Sequence, residues 1–203
     1  MSNPWLTDRT VAPARTSAEP VVVATGPTTP QHGITPPEHA DQLPVREQTV
    51  TPGLWVLGVH GGAGESTVAA LDESWHDADH AWPITPDGAT TQVLLVARSN
   101  VRGLTAAQTA ARQWASGSVP SVDVVGLAIL ADAPGKPPRP LRDLAAVVGG
   151  GFPRTWHLPW MEAWRLGEPA EAASLPRQVR RLLDDVARLT PSAITTGAHV
   201  ASS

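Results

Sequence analysis

The sequence contains no cysteine, no tyrosine, one phenylalanine and one lysine. Without Cys there are no disulfides, no thiolate metal sites and no Cys nucleophile. Charged residues are 17% of the 203 residues and the formal net charge is −4, which argues against a nucleic-acid partner held by bulk charge. No run of about 18 apolar residues occurs, so no membrane span is expected. Residues 1–10 are polar and lack the basic and apolar blocks of a signal peptide, so the expected location is cytoplasmic.

What the chain does have is 21 Pro, 17 Gly, 8 Trp and a strong preference for Arg over Lys. Its first 50 residues hold eight prolines and little apolar periodicity. Such a segment buries too little surface to offset its ordering entropy, so 1–50 reads as a disordered Pro-rich tail in which a linear motif would fit. Residues 51–190 read as an α/β domain and 191–203 as a flexible C-terminal tail. Apolar runs predict strands at 54–59, 91–97, 122–130 and 154–158. Helical spacing predicts helices at 64–78, 104–116, 141–148 and 176–189, the last with Val179, Leu182, Leu183, Val186 and Leu189 on one face. Residues 77–90 read as loop. Four strand–helix alternations imply right-handed crossovers and a three-layer α/β fold with a mostly parallel sheet. Ligands in such folds bind at the carboxyl ends of the strands.

The first of those ends carries His60-Gly61-Gly62-Ala63-Gly64-Glu65-Ser66-Thr67. A strand, a Gly-rich turn and a helix start make a phosphate cradle, because glycines let backbone N–H groups converge on an anion. The segment resembles the deviant Walker A loop of the ParA/MinD-type P-loop ATPases, Lys-Gly-Gly-x-Gly-Lys-Ser/Thr. Gly61, Gly62 and Gly64 match, as does the Mg2+-binding hydroxyl at Ser66. The two lysines of that pattern fall on His60 and Glu65. The resemblance continues through 93–96 and Ser99-Asn100, through 126–130, and through Leu158-Pro159-Trp160 and 163–167. The pattern is also similar to an uncharacterised actinobacterial family that carries Gly-Ala-Gly-Glu-Ser.

The resemblance implies a shortened P-loop NTPase-like (Rossmannoid) topology, with ATP and Mg2+ as ligands, a protein partner and a homodimer. The residues modify each implication. Replacing Lys by Glu65 reverses the charge beside a polyphosphate, and one charge pair at 4 Å with an effective dielectric near 20 is roughly 4 kcal/mol. The reading is therefore a non-hydrolysing regulatory or partner-binding component rather than an active NTPase. The alternative is an unusual nucleotide-binding ATPase in which Arg98 replaces the Lys and Asp132 serves as the Walker B acid. Arg98 also reads as a surface residue, and Asp132-Ala133-Pro134-Gly135 as ordinary turn chemistry. His60, whose family counterpart crosses a dimer interface, weakens the homodimer expectation.

Other constellations have plain readings beside their chemical ones. His76 and His80, with Asp72 at the same spacing, would share a face of a continuing helix and reach a divalent metal, or they are exposed residues at a helix end. His157 is a rim or core histidine more readily than a catalytic one. Trp156, Trp160 and Trp164 either pack beneath the last helix or anchor a ligand; Trp114 reads as core. The arginines of 177–188 alternate with Asp184 and Asp185, as on a solvated helix face.

Overall fold

The computed structural model describes residues 22–48, 53–168 and 174–190. In chain order its elements are β1 (Val45–Glu47), β2 (Leu54–Gly58), α1 (Glu65–Ala69), β3 (Trp75–Asp77), β4 (Trp82–Ile84) and β5 (Thr91–Arg98). There follow α2 (Val101–Ala115), β6 (Val122–Leu130), α3 (Arg139–Gly149), β7 (Thr155–Leu158), α4 (Glu162–Arg165) and α5 (Arg177–Leu189). Five strands form one parallel sheet in the order β3-β2-β5-β6-β7.

The continuous apolar runs are the inner strands, as burial on both faces requires. Successive residues point to opposite faces and so supply two cores. Trp55, Leu57, Val93 and Leu95 pack with Leu104, Ala107 and Trp114 of α2 and Val148 of α3. Leu54, Val56, Leu94 and Val96 pack with Val68 of α1 and with Val179, Leu182 and Val186 of α5. Each large side chain buried this way contributes roughly 1.5–3 kcal/mol. Helices therefore cover both faces of a mostly parallel sheet, the expected α/β class.

Several local expectations change. The helix expected over 64–78 ends at Ala69. Asp72 closes a turn by accepting from the Ser74 N–H (2.9 Å) and hydroxyl (2.6 Å), and 75–77 then pairs with β2 as the edge strand β3. Strand pairing overrides local helical spacing here. The expected loop 77–90 contains β4, which pairs in parallel with β1. Helix α2 starts three residues earlier than expected because Asn100 caps it, its side chain accepting from the Gly103 N–H at 2.8 Å.

Residues 22–48, expected as solvated tail, form a strap over the body. Thr25 N–H donates to Pro153 O (2.8 Å) and Gln31 N–H to Ala115 O (2.8 Å). Gln113, buried on α2, holds both backbone groups of Leu43, accepting from its N–H and donating to its C=O, each at 2.9 Å. The strap is tied by hydrogen bonds rather than by an apolar stripe, so hydrophobic periodicity does not report it. The expected disorder of residues 1–21 and of the tail 191–203 lies outside the described residues. Among the described residues no helix is long and apolar enough to cross a membrane.

Candidate functional site

The chain leaves β2 through α1 on one face and leaves the adjacent β5 through α2 on the other. The crevice between these diverging connections is where open parallel sheets hold ligands. The Gly-rich loop 60–64 and the β5 end at Arg98 both lie at it. Gly64 (φ +100°) is the residue before α1, and a Cβ there would sit 2.6 Å from Leu130 Cδ2, so the loop needs glycine at this point.

His60 turns inward. Its Nε2 accepts from the Arg98 N–H (3.2 Å), which leaves Nδ1, 2.9 Å from Gly61 O, as the donor. The ring also meets α2, where a Cβ on Gly103 would fall 2.9 Å from Nε2 and 2.4 Å from Arg98 O. His60 is thus spent within its own chain.

Glu65, the first residue of α1, is 5% exposed and turned away from solvent. Its Oε2 is 2.7 Å from His80 Nδ1 and its Oε1 accepts from the His80 N–H at 3.1 Å. His80 Nδ1 also lies 3.0 Å from Gly58 O. Burial raises the Glu65 pKa, while hydrogen bonds with the Gly58 and His80 backbone act the other way. The loop after β3 is shaped for this contact, with Asp79 (φ +51°) and His80 (φ +56°) both left-handed. Asp79 forms an ion pair with Arg46 of β1, which holds its carboxyl below the usual range. Strap, β3 loop and glycine loop are therefore joined by one polar chain.

Arg98 joins the other side. Its Nε donates to Gly62 O (3.3 Å) and its Nη1 to Ala131 O (3.2 Å). Desolvation lowers its pKa, and the nearby charge of Asp132 opposes that shift. The Asp132 N–H donates to Ser99 Oγ at 3.0 Å. Of the residues singled out in the sequence, the structure brings together His60, Gly61, Gly62, Ala63, Gly64, Arg98 and Asp132. Glu65 is on the same loop but faces inward; Ser66 is exposed and Thr67 half-buried on α1. Lys136 is exposed in the β6–α3 loop. The sequence offers His80 as a metal ligand or an exposed residue at a helix end and Ser99 only as part of the resemblance, and nothing in it singles out Arg46. Contacts to Glu65, Asp132 and Asp79 respectively are set by topology and leave no local signal.

His76 and His80 do not share a helix face. His76 packs against Trp55 with the rings tilted at 50° and a centroid distance of 5.1 Å, and His80 belongs to Glu65. Among the described residues no group of three or more His, Cys, Asp or Glu side chains is placed to hold a metal ion. His157 is exposed on β7, and the partial desolvation imposed by its neighbours lowers its pKa. Trp156 and Trp164 are buried and Trp114 is core. Trp160 is half-buried, its Nε1 donating to Glu162 at 2.9 Å.

A family model, DUF6668, described as a family of unknown function, matches residues 52–183, and the chain belongs to that family. No curated protein and no solved structure matches.

Proposed function

We propose that this chain is a ParA/MinD-like, P-loop-fold protein that does not hydrolyse nucleotide and serves as a regulatory or partner-binding component. One observation carries the reading: the position of the phosphate-binding lysine holds Glu65, and its carboxylate is committed to His80 and Gly58. Phosphoryl transfer depends on positioned positive charge at the transferred group. The loop supplies no ammonium, and the one lysine lies in another loop. The ATP and Mg2+ that the resemblance implies therefore do not fit this loop as its relatives would hold them. The test is turnover of Mg2+-ATP by the folded full chain beside Ser66→Ala, a substitution at an exposed position. No turnover in either is expected; Mg2+-dependent turnover lost in Ser66→Ala overturns the reading.

A second reading rests on a separate observation. Arg98 spans the glycine loop and the β6–α3 loop, and Asp132 is close enough to act on its charge. This favours nucleotide or another anionic ligand bound with Arg98 as the cation, and Asp132 beside Ser66 as the Mg2+ ligands. Inward burial of Glu65 also moderates the repulsion expected from its charge. Calorimetry with Mg2+-ATP on wild type and Arg98→Ala decides it: unchanged binding in the variant sinks this version.

A further inference from the structure

We propose that the groove between β7 and α5 binds an extended acidic segment of a partner protein, added as a strand along β7 beyond Pro153, whose carbonyl the strap's Thr25 already takes, at an edge that no other strand pairs among the described residues. This surface stands apart from the glycine loop and does not depend on the reading of that loop.

β7 is the last strand of the sheet. Leu127 N–H donates to Arg154 O (2.9 Å) and Ala131 N–H to Leu158 O (3.0 Å), so 154, 156 and 158 face β6. By the alternation of a parallel ladder, the N–H and C=O of Thr155 and His157 face outward. An edge of that kind is a template for another strand, whose main chain supplies affinity and whose side chains supply specificity.

The edge opens into a groove of about 920 Å3. Its far wall is α5 and its near end is the strap at Val22, Val23 and Thr25. Five arginines line it: Arg177, Arg180, Arg181, Arg188 and Arg154, the last donating from Nη2 to Val22 O of the strap at 3.1 Å. Two acids oppose them, Asp184 and Asp185. Asp185 is already engaged by Trp156 Nε1 (3.0 Å), Arg181 Nε (3.5 Å) and Arg188 Nη1 (3.4 Å). Arg177 and Arg180 are exposed and make no ion pair among the described residues.

The groove is thus positive in a chain whose net charge is −4. Charge complementarity selects an acidic occupant. The strand edge selects an extended backbone over a helix. The outward N–H and C=O groups of β7 select a peptide over a nucleic acid, because only a peptide main chain supplies the alternating donors and acceptors that pair with a strand edge.

The experiment uses full-length protein and a fluorescently labelled octapeptide of alternating Val and Glu, read by anisotropy. Saturable binding is expected, weakened about tenfold or more by Arg177→Glu with Arg180→Glu, both at exposed positions. His157→Pro deletes one outward N–H and leaves the bonds to β6 in place, as edge strands allow; it is expected to weaken binding comparably. Equal binding of a Val/Lys octapeptide, no binding at all, or tighter binding of a short single-stranded oligonucleotide overturns the proposal. So does peptide binding that neither the charge reversals nor His157→Pro alters.

Discussion

Glu65 Oε2 lies 2.7 Å from His80 Nδ1, and the pair finishes the edge of β2 beyond the point where β3 stops. Beyond the β2–β3 pairing, Gly58 has a carbonyl that needs a donor, and His80 Nδ1 lies 3.0 Å from it. The carboxylate in turn accepts the His80 N–H. Glu65 is therefore a structural acid at a position where the resembled loop carries a ligand-binding base.

A pH dependence follows from its burial. Desolvation raises the Glu65 pKa above the ordinary 4.5, so the folded state holds this proton more tightly than the unfolded state. Its contribution is fully present below the unfolded pKa and is lost as pH rises through the raised folded value. Glu65→Gln keeps the shape and an acceptor oxygen but removes the titration. Urea unfolding from about pH 4 to about pH 8 is expected to show this decline in wild type and not in the variant. An identical profile in both would remove the assignment.

Placing a lysine at position 65 is not expected to create a phosphate site. Glu65→Lys places an ammonium in a site that is 5% exposed, facing His80 and the Gly58 carbonyl. Breaking a fully buried pair and leaving an unmatched charge costs about 3–5 kcal/mol, and less here because water reaches the half-exposed His80 ring. The expected result is a large fall in thermal midpoint by circular dichroism, with no gain of Mg2+-ATP binding by calorimetry. A variant as stable as wild type would mean that the Glu65–His80 contact contributes little.

Arg98 acts as a clasp whatever the crevice binds. It donates to the carbonyls of Gly62 and Ala131, tying the glycine loop to the β6–α3 loop. Each such bond from a charged donor is worth about 1.5–3 kcal/mol at most, less where water competes. Arg98→Ala is expected to cost about 1–2 kcal/mol and to speed amide exchange in the glycine loop more than in the β5 and β6 strands. Uniform exchange changes across the chain would argue for a general loss of stability instead.

The sheet was legible because β2, β5 and β6 are buried on both faces and read as continuous apolar runs, and α5 because Val179, Leu182 and Val186 keep helical spacing. Trp75-His76-Asp77 was not legible as a strand. Three residues carry no period, and this segment is a strand only through pairing with β2. The glycine turn and the position of Arg98 at a strand end could be read along the chain. The direction of Glu65 could not, since composition reports its charge while the β3 loop fifteen residues on decides which way it faces. The strap escaped for a related reason: its ties are Gln113 and backbone carbonyls, which have no hydrophobic signature.

Gln113 tests that strap. Its Oε1 accepts from the Leu43 N–H (2.9 Å) and from Trp82 Nε1 (3.0 Å), and its Nε2 donates to Leu43 O (2.9 Å). Trp82 is fully buried, so its indole N–H has no water to turn to when the amide is removed. An unsatisfied buried donor costs about 1–3 kcal/mol, and the Leu43 backbone loses both of its bonds as well. Gln113→Ala is therefore expected to lower stability by about 2–4 kcal/mol and to make the strap near Leu43 the first site of limited proteolysis. Gln113→Glu separates the two roles, because it keeps the acceptor for Trp82 but replaces the donor to Leu43 O with a charge. Strap cleavage in Gln113→Glu with the Trp82 indole N–H resonance preserved by NMR would place the tie at Leu43. Cleavage no faster than wild type in both variants would mean that Thr25 and Gln31 hold the strap without it.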